Sequence, residues 1–297
     1  MLLGAELARE QRAFLRRDRQ LWAGHLGSTR GFLGEALAEA RGPAVILGAG
    51  SGLEVPWALA PAGTVGWDAD PWSRLRTLLR HRRWAPWVFE DLTGGTAELA
   101  ATARRATAVP WSGQPRPSAK AVLRLAGLMA SLQPEPRALR AWLETRRPGT
   151  VLAANVMGQF GVVAQRLVEG AFGAFQPWVE DPERRDPLAE ALEAWTARCV
   201  RAFLRALADC PGELCLVHDR GVVFGEVPVT LGPFTEPWQD QLRAEAPLEV
   251  ADALAGVDVL AAFQGRTVTR HQRWLWPVAP GQMHLVEGLR VAARERC

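Results

Sequence analysis

The chain has 297 residues, 48% of them hydrophobic and 23% charged, with a net charge of +3. That is the balance of a soluble globular protein long enough for one large or two small domains. Lys120 is its single lysine and tyrosine is absent, so the basic character reflects arginine usage; with no basic stripe interleaved with aromatics, it gives no ground for nucleic-acid binding. No apolar run approaches the ~18 residues of a membrane helix. Met1-Leu2-Leu3-Gly4 leads directly into charged sequence rather than a signal-peptide core, so a cytoplasmic location without a membrane partner is expected.

From Ala5 to about Ala40, the residues Leu7, Phe14, Leu15, Leu21 and Trp22 recur near helical spacing. One or two amphipathic helices are expected, with a break between Gly24 and Gly31. Residues 1–41 thus read as a helical segment ahead of a domain covering 42–297, and Trp22 and His25 are candidates to line a substrate pocket. The apolar run Ala44-Val45-Ile46-Leu47 then breaks into Gly48-Ala49-Gly50-Ser51-Gly52. Alternate glycines after a strand allow a sharp turn and bring backbone N–H groups close to a ligand. Asp68 follows Gly48 by twenty residues, at the end of the run Thr64-Val65-Gly66-Trp67. A dinucleotide-type fold places there the carboxylate that accepts hydrogen bonds from ribose hydroxyls.

A helix over Pro71 to His81, with proline in its first turn, leads to a third strand candidate, Val88 to Leu92. Residues 94–148 form an insertion with helices expected over Thr96 to Ala108, Ala119 to Ser131 and Arg137 to Arg146, and a Pro-rich break over 109–118. It reads as either a substrate-side element or a surface excursion. Val151 to Met157 and Leu214 to Asp219 supply the fourth and fifth strands, separated by a long helix over Pro187 to Asp209. Beyond Gly225, strands are expected over Val257 to Phe263, Arg266 to Trp276 and Met283 to Ala292. Strand-helix alternation requires a largely parallel sheet, whose ligands sit beyond the carboxyl ends of the strands. Gly48, Asp68, Asp91, Asn155 and His218 all fall at such ends.

A glycine turn spaced G-x-G-x-G, an acidic residue closing the second strand and the ordered strand ends that follow resemble the class I S-adenosylmethionine-dependent methyltransferases. The resemblance covers roughly Arg41 to Gly225. It implies an α/β fold, a Rossmann-like mostly parallel sheet with helices on both faces and antiparallel C-terminal strands. It also implies S-adenosyl-L-methionine as cofactor, with Gly48, Ala49, Gly50 and Gly52 forming the turn. Asp68 would hold the ribose, Ala69 would flank the adenine, Glu90 or Asp91 would meet its edge, and Asn155 would lie beside the transferred methyl. The chain departs from the family at Ile46, where an acidic residue usually supports the glycine loop and reaches the methionine amino group. Glu54 either substitutes for it or is a solvated first-turn glutamate.

Methyl transfer needs alignment and a destination for the acceptor's proton. Asn155 is a candidate to orient the acceptor, and His218 beside Asp219 is the best candidate base, although neighbours on a strand point to opposite faces. No His, Cys or carboxylate set has metal-ligand spacing, so no metal is expected, and Cys199, Cys210 and Cys215 read as buried reduced thiols. Most of the 13 tryptophans read as core, though a tryptophan cage would suit a sulfonium. The expected activity is methylation of a small molecule or peptide side chain. Aminocarboxypropyl transfer of the nicotianamine-synthase type and a non-catalytic partner subunit are the alternatives, and the oligomeric state is open.

Overall fold

Four consecutive apolar residues leave no polar face for solvent, and Ala44–Leu47 forms the central strand β1, buried at every position. The computed structural model describes residues 19–50, 52–107, 119–173, 186–225 and 249–294. β1 pairs in parallel with β2 (Val65–Trp67), which carries β3 (Trp87–Val88) on its outer side. On its other edge β1 pairs in parallel with β4 (Thr150–Ala154), and β4 with the first part of β5 (Glu213–Phe224). Beyond the end of β4, the last residues of β5 pick up a short antiparallel strand, β6 (Glu249–Asp252). A hairpin of β7 (Val268–Ala279) and β8 (Gln282–Val291) closes the far edge, β8 running antiparallel to β5. The order is β3-β2-β1-β4-β5-β8-β7, an α/β sheet of Rossmann-like type with an antiparallel C-terminal edge.

The strand pleat splits the core in two. Val45, Leu47, Val151, Ala153, Leu214 and Leu216 face one side, where, among the described residues, five helices cover the sheet. They are α3 (Thr96–Thr107), α4 (Ala119–Ser131), α5 (Arg137–Arg146), α6 (Met157–Phe172) and α7 (Pro187–Ala208). The insertion therefore supplies three helices of this layer, with α3 on α6 and α4 on α7. α7 starts where Asp186 accepts the N–H groups of Leu188 and Ala189, an N-cap followed by proline. Ile46, Leu152, Ala154, Cys215 and Val217 face the other side, packed by α1 (Arg19–Glu39), the 3-10 turn Trp57–Leu59 and the tryptophans of β7. α2 (Trp72–His81) lies between β2 and β3 in the chain, and Pro71, expected in its first turn, stands at the position just before it and makes no side-chain capping hydrogen bond.

The sequence expectations need correction at four points. α1 runs unbroken through Gly24, Gly27 and Gly31, because Trp22, His25, Thr29, Leu33 and Ala36 form a continuous buried stripe. That burial outweighs about 1 kcal/mol per helical glycine. Val257 to Phe263 is not a strand but an irregular stretch and a turn leading into the 3-10 segment Ala261–Phe263, where Asp258 accepts the N–H groups of Leu260 and Ala261. β3 stops at Val88, well short of Leu92, and β6 was not anticipated. The Pro-rich stretch 109–118 and residues 177–185 lie outside the described residues. No helix among the described residues is long and apolar enough to cross a membrane.

Candidate functional site

The direction of winding reverses between β1 and β4, and the segments leaving these two strands open a crevice at their carboxyl ends. Gly48 has φ +65°, and a Cβ there would lie 2.6 Å from the Val156 Cβ, so only glycine lets the β1 turn pass the β4 turn. The N–H groups of Gly48 and Ala49 both donate to the Trp67 carbonyl, at 2.9 and 3.2 Å, which pins the bend to the end of β2. Asp68 then turns back onto the bend. Its Oδ2 accepts the Gly50 N–H at 2.7 Å and its Oδ1 the Asp70 N–H at 2.8 Å. Burial pushes the Asp68 carboxyl above the usual carboxylate range, opposed by these two backbone N–H groups.

The crevice holds a cavity of about 400 Å³. Gly48, Ala49, Gly50, Gly52, Asp68, Ala69, Asp91 and Asn155 all line it, so the structure brings together most of the residues that the sequence singled out. Leu92 from the loop ahead of α3, Ala97 from α3 and Phe160 and Val163 from α6 add apolar walls. Its charged lining among the described residues is Glu54, Asp68, Asp70 and Asp91 against Arg76, an acidic excess. Asp70 is occupied: it pairs with Arg76 and accepts the Trp72 N–H at 3.0 Å. This Asp70–Arg76 pair was missed in the sequence, where the signal was a second acid two residues beyond Asp68.

Three other expectations are recast by the geometry. The Asp91 carboxylate accepts the N–H groups of Thr93, Gly95 and Thr96 and the hydroxyls of Thr93 and Thr96, all between 2.7 and 3.1 Å, which makes it the fastening of the first turn of α3. Little acceptor capacity remains for an adenine edge. Glu90 is exposed and outside the cavity lining; its carbonyl accepts the Trp67 indole N–H. His218 is fully buried away from the cavity: β5 places it opposite Glu287 of β8, and its Nε2 lies 3.2 Å from Glu287 Oε2. Asp219, its neighbour, lies on the other face, 3.1 Å from His284 Nδ1 but out of line for a hydrogen bond.

Asn155 remains at the site. It has φ +51°, its N–H donates to Val217 O at 2.7 Å, and its Oδ1 accepts the Asp219 N–H at 3.1 Å. The strand tips of β4 and β5 are tied through this residue, with its amide nitrogen left as a donor. Ile46 is wholly buried in the α1-side core, so β1 brings no carboxylate to the bend. Glu54 brings one instead, lining the cavity and lying 3.2 Å from His25 Nε2. Trp22 also lines the cavity, while Trp57 and Trp67 are core and Trp84 stacks under Arg74. Cys199, Cys210 and Cys215 are free and buried, their thiols pushed up chiefly by desolvation. Among the described residues no group of His, Cys, Asp and Glu could hold a metal ion.

Parallel strands in the order 3-2-1-4-5, closed by an antiparallel hairpin, decide the architecture. It is a Rossmann-like α/β fold with an antiparallel C-terminal edge. Among solved structures the chain is similar to the N-methyltransferase NodS from Bradyrhizobium japonicum WM9, at 10% identity and TM-score 0.40 over 93% of this chain and 98% of that one. It is also similar to the Burkholderia thailandensis 1,6-didemethyltoxoflavin-N1-methyltransferase, solved with 1,6-didemethyltoxoflavin and S-adenosylhomocysteine, at 13% identity and TM-score 0.39 over 98% and 87%. No protein-family model and no curated protein matches the chain.

Proposed function

We propose that this chain is an S-adenosylmethionine-dependent methyltransferase acting on a small molecule or a peptide side chain. The observation that supports it most is the Asp68 carboxylate held 2.7 Å from the Gly50 N–H, at the mouth of an acidic cavity over the β1 and β4 tips. The residues fit the cofactor. About 400 Å³ is within the range of small-ligand sites, and an acidic lining suits a ligand that carries an ammonium and a sulfonium. Each Asp68 oxygen accepts one N–H and the Ser73 side chain bonds the carboxylate as well, which still leaves acceptor capacity for a ribose hydroxyl. Leu92, Ala97, Phe160 and Val163 offer apolar walls to a flat base.

Bound there, the cofactor supplies an electrophilic methyl group carried on sulfur. What this chain contributes is alignment. The glycine bend, pinned to Trp67 O, would hold one side of the ligand and Asp68 the other, and Glu54 would supply a carboxylate to a cationic group. Asn155, fixed through Asp219, presents its amide nitrogen as a donor to orient an acceptor heteroatom. His218 is assigned no role, because Glu287 holds it elsewhere.

Isothermal titration tests the reading. S-adenosylhomocysteine should bind, and Asp68→Asn should weaken it about tenfold, the weight of one hydrogen bond to a charged group. Heat with NAD and none with the adenosyl ligand would reject the proposal. The mass of the product then distinguishes methyl from aminocarboxypropyl transfer.

A further inference from the structure

We infer that His25 is a positioning residue which, clamped by Trp274, aims the Glu54 carboxylate into the cavity and makes the site selective for ligands bearing an ammonium. The inference rests on the adenosyl reading above. His25 lies in α1 with no exposure to solvent, and both of its ring nitrogens are engaged. The Trp274 Nε1–H points at His25 Nδ1 from 3.2 Å. An indole nitrogen can only donate, so Nδ1 is the acceptor and the imidazole proton sits on Nε2. That N–H faces Glu54 Oε1 at 3.2 Å.

The ring is held in place by more than its two nitrogens. It stacks on Trp276 at a centroid distance of 4.0 Å with an interplanar angle of 12°. Trp276 is met edge-on by Trp22, a wall of the cavity. Arg30 Nε donates to the Leu53 carbonyl at 2.8 Å, fastening α1 to the loop that carries Glu54. Thr29 Oγ1 also reaches Nδ1, at 3.5 Å, and turning the imidazole over would break the bonds to Trp274, Thr29 and Glu54 at once, so the orientation is fixed by packing and polarity together.

Among the acidic residues of the cavity, the partners differ in kind. Asp70 is neutralised by Arg76, Asp91 is spent on the first turn of α3, and Asp68 is anchored by backbone N–H groups. Glu54 accepts a hydrogen bond from an imidazole in the tautomer fixed above, and its side chain is 17% exposed. A neutral donor orients a carboxylate without cancelling its charge. A partly buried, uncancelled carboxylate favours a cation beside it, and Ile46 leaves β1 with none to offer.

Two probes sharing the adenosyl group test this by titration: S-adenosylhomocysteine, which carries the ammonium, and 5′-methylthioadenosine, which lacks the amino-acid arm. The native protein should prefer the first. Glu54→Gln and His25→Ala should each weaken S-adenosylhomocysteine about tenfold and leave 5′-methylthioadenosine unchanged. His25→Gln retains a donor and should recover most of the loss, and Trp274→Phe, which removes the clamping N–H but keeps a ring, should erode the preference. In the double variant His25→Ala, Glu54→Gln, the loss should not exceed that of Glu54→Gln alone. Equal weakening of both probes, or a native protein without the preference, would overturn the inference while leaving the adenosyl reading standing. If neither probe binds the native protein, the adenosyl reading falls and this inference with it.

Discussion

At the parallel end of the sheet the carboxylates of Asp68 and Asp91 are satisfied mainly by backbone N–H groups of their own loops. In the antiparallel hairpin Glu287 is satisfied by side chains alone: His218 Nε2 at 3.2 Å, His271 Nε2 at 2.7 Å and Arg273 Nε at 2.8 Å. Arg290 is similarly gripped by Glu39 and Glu213. A backbone-anchored carboxylate shapes a loop, and Asp68, unlike Asp91, keeps acceptor capacity for a ligand. A carboxylate surrounded by side-chain donors from neighbouring strands welds those strands together and keeps none. Two burials of the same functional group therefore serve binding in one place and cohesion in the other.

The largest test of this contrast is Glu287→Gln. Arg273 and two histidines would lose the charge they surround, and stability should fall by about 3 kcal/mol in urea unfolding, with little change in ligand affinity beyond that set by unfolding. The pH dependence follows from the same geometry. The hydrogen bonds from His218, His271 and Arg273 overcome desolvation and hold the Glu287 carboxyl well below the usual range. Its folded value lies under its unfolded one, so its stabilisation is present above about pH 5 and is lost progressively as pH falls through the acid range. The Gln variant should show a shallower acid limb; an unchanged limb would mean that Glu287 is not the group responsible.

At the cavity end, Gly48→Ala combines a left-handed backbone with a Cβ placed on Val156, and should cost about 2 kcal/mol or more. Adding Val156→Gly, which removes the Cβ it would strike, should return only the steric part, and a melting temperature restored in full would show that the backbone conformation costs nothing. Asp91→Ala removes a cap rather than a weld, and should cost about 1–2 kcal/mol. Amide exchange should rise in the first turn of α3, where Thr96 and Ala97 line the cavity, and not in β8. Equal loosening of both regions would erase the distinction drawn between them.

Much of the architecture was legible along the chain because its signals are local. The expected bounds of α4 and α5, Ala119–Ser131 and Arg137–Arg146, are those observed, since each is a short amphipathic run between breakers. The apolar run, the glycines and Asp68 were readable for the same reason, as each is required by the backbone at that point. Asp91 was assigned to a ligand because a strand-end acid and a helix cap look alike until the next helix turns toward it. His218 was favoured as a base because Glu287, which holds it, lies 69 residues away.

By itself, then, the order of residues determined the strand sequence, the bend after β1 and the carboxylate that closes it. Only the tertiary structure decided which acids remain available, that α1 runs through its glycines, and that Trp274 meets His25 across 249 residues of chain. The reason is physical: backbone conformation responds to neighbours in sequence, whereas the partner of a buried polar group is whatever packing brings within about 3 Å.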